Sequence, residues 1–184
     1  MADMTLASRK SVLEGFHGGS SLVRLTPAAP ATRVSLRAGT DAVAGLSRAL
    51  GVKLPVKPKT SASAKGRTAF WLGPDEWLVI DEKSADLMGD CAASGTVHSA
   101  TDVSHRNMAI IVSGPGAQNT INAGCPLDLS RPAFPVGAVT RTVFGKIEIV
   151  LYRVDEDTFR VECWRSFAEY AFGLLSEAAE DAGA

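Results

Sequence analysis

The sequence predicts an α+β fold built from two duplicated β-α-β-β-α-like halves that share one core. Three observations carry that prediction. A strand, turn, helix, hairpin, helix order occurs twice along the 184 residues. The copies also register: Gly39 and Gly114 lie 75 positions apart, as do Leu36 and Ile111, and Leu46 and Ile121. Trp77 and Phe159, each just after an acidic turn, lie 82 apart, the difference reflecting a longer second linker. Finally, each half leaves a sheet face to cover, and packing the halves together covers both.

The elements follow in chain order. Residues 1–30 hold few apolar anchors but cluster Gly15, Gly18, Gly19, Ser20 and Ser21 before Pro27 and Pro30. They read as an extended arm with little structure of its own. A single domain is expected over 31–182, with pseudo-repeats at 32–93 and 107–181. Val34-Ser-Leu-Arg-Ala38 alternates as a strand. Thr40 or Asp41 offers a helix cap, Val43, Leu46, Ala49 and Leu50 recur at helical spacing, and Gly51 closes the helix. Residues 53–67 carry Lys53, Lys57, Lys59, Lys65 and Arg67 among prolines and serines, the composition of a solvated basic loop. Thr68-Ala-Phe-Trp-Leu72 and Trp77-Leu-Val-Ile80 flank Gly73-Pro-Asp-Glu76 as a β-hairpin. A helix over 83–93 is anchored by Leu87 and Met88.

The second copy opens with the strand Met108-Ala-Ile-Ile-Val112. Gly114-Pro-Gly116 breaks it, with Pro115 suited to a first helical turn. Ala117 and Ile121 share one helix face, and a linker with Pro126, Pro132 and Pro135 follows. A hairpin over 139–153 turns at Gly145-Lys146, and Asp155-Glu-Asp157 leads into Phe159-Arg-Val-Glu-Cys163. The last helix, 166–181, is expected to bury Phe167, Tyr170, Ala171, Leu174, Leu175 and Ala178, with Ser166 and Glu169 at capping-box spacing.

Composition narrows the function classes. With 46% hydrophobic residues the chain can bury a normal core. A formal net charge of −1 gives no electrostatic case for nucleic acid or an anionic membrane. No apolar run reaches the roughly 18 residues of a membrane span. The start lacks the charged and apolar blocks of a secretory signal. Cys91, Cys125 and Cys163 have no CxxC spacing, which favours reduced thiols in a cytoplasmic protein.

The chemical inventory is thin. Asp102, Ser104 and His105 are too close in sequence to converge as a triad, and a strand exit that satisfies local backbone or meets a partner accounts for them. Asn119 stands where a dinucleotide fingerprint needs its third glycine, so Gly114-Pro-Gly116 reads as a strand-to-helix turn. His17, His98 and His105 show no zinc spacing. No catalytic, cofactor-binding or metal-ligating residue is therefore expected. Trp77, Asp102, His105 and Arg106 are the candidate subunit-contact residues, because aromatic and arginine side chains anchor interfaces. Trp71 and Trp164 are read first as packing residues.

Asp102-Val-Ser-His-Arg106, Gly124-Cys-Pro-Leu-Asp-Leu129, Phe134-Pro-Val-Gly137, Arg141-Thr142, Phe159-Arg-Val-Glu162, Arg165-Ser-Phe-Ala-Glu-Tyr170 and Leu72-Gly-Pro-Asp-Glu-Trp-Leu78 carry a resemblance. In their order and spacing they resemble the gamma subunit family of bacterial heterotetrameric sarcosine oxidase, over residues 30–180. That family is similar in turn to the folate-binding domain of the glycine-cleavage aminomethyltransferases, which implies a duplicated, interlocked α+β architecture. Those enzymes carry a Gly-Gly-x-x-Asp-Asp type signature where this chain has Gly145-Lys-Ile-Glu-Ile149, so only Glu148 falls near the acidic position. The resemblance implies a non-catalytic subunit supporting oxidative demethylation of sarcosine to glycine. Its partners would be the alpha, beta and delta subunits, and FAD, FMN, NAD and tetrahydrofolate would sit on partner subunits. The alternatives are a folate-binding or aminomethyltransferase-like one-carbon protein and a free-standing homodimer.

Overall fold

Alternating side chains on long strands decide the architecture. The computed structural model describes residues 11–182. Its elements are β1 (Gly18–Gly19), β2 (Arg24–Pro27), β3 (Thr32–Ala38), α1 (Val43–Leu50), β4 (Ser61–Ala64), β5 (Arg67–Gly73), β6 (Glu76–Asp81) and α2 (Leu87–Ala93). They continue with β7 (His98–Asp102), β8 (Asn107–Ser113), α3 (Ala117–Asn122), β9 (Val139–Phe144), β10 (Ile147–Asp155) and β11 (Thr158–Trp164). A 3₁₀ turn, Arg165–Phe167, then leads into α4 (Ala168–Asp181).

The strands form two antiparallel sheets, in the orders β4-β5-β6-β3-β7 and β1-β2-β8-β11-β10-β9. Successive strand residues point to opposite faces. Val34, Leu36 and Ala38 of β3 therefore pack on Leu46 and Leu50 of α1 and on Leu87 and Cys91 of α2. In the second sheet Ile147, Ile149 and Leu151 of β10, with Phe159, Val161 and Cys163 of β11, meet Ile121 of α3 and Ala171, Phe172 and Leu175 of α4. The intervening residues turn inward and join the sheets. Phe70, Leu78 and Ile80 face Val139 and Val150, and the Phe70 and Tyr152 rings lie 4.7 Å apart. The result is four layers, helices outside and two sheets face to face.

The halves interlock by exchanging strands. β2 runs directly into β3 yet pairs with β8 in the other sheet. β7 runs directly into β8 yet pairs with β3. Each half thus lends its leading strand to its neighbour.

That exchange corrects the expected arm. Residues 1–10 lie outside the described residues, but 11–30 fold into the core. Leu13, Val23 and Leu25 are buried, and β2 extends the second sheet. Gly114 and Gly116 explain how the chain fits there. A Cβ on Gly114 (φ +117°) would sit 2.4 Å from the Leu22 carbonyl oxygen, and the Gly116 N–H donates to that oxygen at 3.1 Å. Glycine–proline–glycine is a strand-to-helix turn, as expected, and also the seat of the N-terminal segment. The basic stretch 53–67 is likewise ordered rather than loose: Leu54 and Pro55 are buried, and β4 pairs with β5.

Two expected caps do not form. The position before α1 is Ala42, with no side-chain cap. Ser166 lies within the 3₁₀ turn and Glu169 in the first turn of α4, whose start at Phe167 has no side-chain cap. The turn also rotates the last helix, whose buried face is Ala168, Ala171, Phe172, Leu175, Ala178 and Ala179. Phe167 and Tyr170 point outward, where the sequence periodicity predicted burial.

Candidate subunit interface

The 102–106 segment is first a stitch between strands. Val103 donates its N–H to the Arg33 carbonyl at 2.9 Å, and the Arg33 N–H donates to the Ser104 Oγ at 2.8 Å. Asp102 Oδ1 accepts the Ser104 N–H at 2.8 Å, closing an Asx turn. Ser104 is buried and its hydroxyl is committed to the Arg33 backbone. Asp102, His105 and Arg106 are exposed. The structure therefore brings Asp102, His105 and Arg106 to one surface corner and turns Ser104 inward.

Trp77 is not at that corner, which corrects its assignment as a contact residue. It is 1% exposed, packs under α1 and α2, and donates its Nε1–H to the Pro55 carbonyl at 2.7 Å. Alternation along β6 aims it at the helices, so its ring fills the core of the first half.

A different aromatic group occupies the surface. Trp164, Phe167 and Tyr170 are about two-fifths exposed, and the Trp164 and Phe167 rings stack at 6.1 Å. The Arg106 guanidinium lies over the Trp164 ring at 5.1 Å from its centroid. The backbone locks the two segments together, because the Arg165 N–H donates to the Arg106 carbonyl at 2.6 Å. The strand exit and the start of the last helix thus form one patch of an arginine and two rings, while the Tyr170 hydroxyl accepts the Lys146 N–H at 3.3 Å on the turn between β9 and β10. Sequence reasoning had Arg106 and noticed Trp164, but assigned Phe167 and Tyr170 to the core.

Beneath this corner, charges are buried between the sheets. Glu162, wholly enclosed, accepts from Arg33 Nε at 2.8 Å and Nη2 at 3.1 Å, and from Arg160 Nε at 2.7 Å. Arg160 Nη1 donates to Glu82 at 3.1 Å. Burial pushes the Glu162 carboxyl upward, but the charges of Arg160 and Arg33 and their hydrogen bonds outweigh it, leaving its pKa below the ordinary glutamate range. A polar cleft lies nearby, lined by Glu76, Arg141 and Glu148. The Glu76 carboxylate, by hydrogen bonding, raises the Arg141 pKa.

The thiols are sequestered. All three cysteines are buried and reduced. Burial, aided by the Glu162 charge, pushes the Cys163 thiol up to about 12, so it carries almost no thiolate at neutral pH. Among the described residues no group of three or more His, Cys, Asp or Glu is placed to hold a metal ion. No helix among them is long and apolar enough to cross a membrane.

Comparison with known proteins is consistent across sequence and fold. The model of the sarcosine oxidase, gamma subunit family matches residues 37–181. The chain is 32% identical over 161 residues to a sarcosine oxidase subunit gamma of Corynebacterium sp. (strain P-1), covering 85% of this chain and 79% of that one. It is 31% identical over 174 residues to the corresponding subunit of an Arthrobacter species, covering 92% and 85%. Its fold is similar to a chain of the heterotetrameric sarcosine oxidase from Corynebacterium sp. U-96, with a TM-score of 0.84, 28% identity, and 91% and 89% coverage. It is also similar in fold to the glycine cleavage system aminomethyltransferase T from Bartonella henselae, with a TM-score of 0.60 and 14% identity over 87% of this chain and 49% of the other. On the family match and the two relatives above 30% identity, the chain belongs to the sarcosine oxidase gamma subunit family.

Proposed function

We propose that this chain is the non-catalytic gamma subunit of a cytoplasmic heterotetrameric sarcosine oxidase, and that it docks through the corner formed by Arg106, Trp164 and Phe167. Asp102 and His105 form the rim of that contact. The carrying observation is the patch itself: rings two-fifths exposed, pre-stacked, with a guanidinium laid across one of them. Such rings gain most by being covered, and arginine and tryptophan dominate binding energy at protein interfaces. The partners are the alpha, beta and delta subunits, which hold FAD, FMN, NAD and tetrahydrofolate and oxidise sarcosine to glycine.

The test is coexpression with tagged alpha, beta and delta subunits, followed by affinity purification. The chain should co-purify with them and be colourless when purified alone. A coexpressed chain that stays unassociated removes the proposal.

A second reading, a folate-binding one-carbon protein, draws on the polar cleft with Glu148 on its wall. Calorimetric titration of the isolated chain with tetrahydrofolate separates the two. Heat of binding supports the second reading, and none at high micromolar ligand removes it.

A further inference from the structure

At the opposite side of the sandwich from the polar cleft, the two sheets enclose a second opening of about 290 Å³. Its walls are set by register. Tyr152, Arg160 and Ile111 lie side by side across β10, β11 and β8. Ser63, Thr68 and Ile80 lie side by side across β4, β5 and β6. Phe70, packed on Tyr152, also lines the opening. The enclosure is largely apolar, yet one side chain in it is a strong donor.

That donor is Arg160, whose side chain is 92% buried. Its relative exposure is 8%. Nε is taken by Glu162 and Nη1 by Glu82, while Nη2 is buried without a partner. A buried guanidinium N–H left unpaired costs free energy, so the position favours an acceptor. Glu82 holds only one prong of the fork, and its own side chain is 63% exposed. Turned outward, it regains water and leaves both Nη1 and Nη2 facing the opening. The remaining group, Arg33 and Arg160 against Glu162, then carries one net positive charge. A carboxylate entering from solvent would take both prongs, the strongest geometry an arginine offers.

We infer that this opening is a binding site for a small carboxylate with an aromatic or aliphatic body, with Arg160 receiving the carboxylate, the Ile111, Tyr152 and Val154 side chains receiving the body, and Glu82 acting as a displaceable stand-in. Glu82 competes with the ligand rather than helping it. Removing its carboxylate should therefore tighten binding, the reverse of what a ligating residue would do.

The experiment titrates the full chain with benzoate and with benzamide, its uncharged counterpart, following ligand signals by NMR. The wild type should bind benzoate in preference to benzamide, and Glu82→Ala should bind it several-fold more tightly. Arg160→Met should lose the preference. Because that substitution also disturbs a buried ion group, the Glu82→Ala comparison decides, at a side chain exposed enough to be replaced without loss of fold. Failure of Glu82→Ala to bind benzoate at millimolar concentration, equal binding of benzamide, or weaker binding by Glu82→Ala would each overturn the inference. Subunit association does not enter any of these readouts, so the result is independent of the proposed docking corner.

Discussion

Replacing Glu162 by glutamine should be among the most damaging single changes in this protein. The carboxylate accepts three charge-assisted hydrogen bonds from two arginines, at 2.7, 2.8 and 3.1 Å, inside the space between the sheets. Glutamine is nearly isosteric but, in either amide orientation, turns an NH₂ group toward at least one arginine donor, and it leaves Arg33, 2% exposed, with no counter-charge. Breaking one side of a buried ion group costs about 3–5 kcal/mol. A domain of this kind has a total stability of about 5–15 kcal/mol. Urea unfolding followed by tryptophan fluorescence measures the effect. With a slope of about 2 kcal/mol/M, the midpoint should fall by about 2 M. The companion variant is Arg33→Met, Arg160→Met, Glu162→Leu, which removes all three charges for similar volume. It should restore the midpoint to the wild-type value or above, because desolvating the ions offsets most of what their attraction returns. A Glu162→Gln midpoint within 0.5 M of wild type (about 1 kcal/mol at that slope) would refute this account, and so would a triple variant as weak as the single one.

Other outcomes follow from the same structure. Glu162 and Asp81 both titrate below their ordinary values in the fold, burial being outweighed by Arg160 and Arg33 in one case and by Arg67 with two backbone N–H groups in the other. Their contribution is therefore fully present above the unfolded carboxylate range near pH 4 and is lost as pH falls through the depressed folded values. Stability measured from pH 7 to pH 2 should fall below about pH 4, and less steeply in the Glu162→Gln protein. Trp77→Ala should cost about 3–5 kcal/mol, by cavity formation and loss of the bond to Pro55, with any loss of subunit affinity explained by unfolding alone. Trp164→Ala and Arg106→Ala should do the opposite, leaving the thermal midpoint within a few degrees while weakening subunit association about tenfold or more in a biosensor titration. Native protein at pH 8 should resist aromatic disulfide thiol reagents, and all three cysteines should react at once in denaturant.

The repeat was legible because its punctuation is local. Gly39 and Gly114 end matching strands, and the hairpins at Gly73-Pro-Asp-Glu76 and Gly145-Lys146 announce themselves by turn chemistry. The strand exchange was not, because its strands lack a pattern. Arg24-Leu-Thr-Pro27 is four residues long and ends in proline, and His98-Ser-Ala-Thr-Asp102 has no buried residue. Their place is set by a partner strand far along the chain. Arg33, Arg160 and Glu162 sit at the alternate positions of apolar strands, which read as solvent-facing until a second sheet covers them. The interface patch was half legible for a related reason. Arg106 and Trp164 stand out as residue types, but one 3₁₀ turn shifts the phase of the last helix and turns Phe167 and Tyr170 from expected core to surface.

The exchanged leading strands also constrain how the protein emerges from the ribosome. The first sheet lacks its flank until residue 102 has left the exit tunnel. Residues 24–27 can pair early with the two-residue β1, but they must wait for 110–113 before they join the rest of their sheet. Pairings this distant form slowly, and unpaired edges are open to aggregation in the meantime. Neither half can mature ahead of the other, so a nascent chain stalled midway would be a client for chaperones, and cutting the gene between the repeats would yield two insoluble fragments.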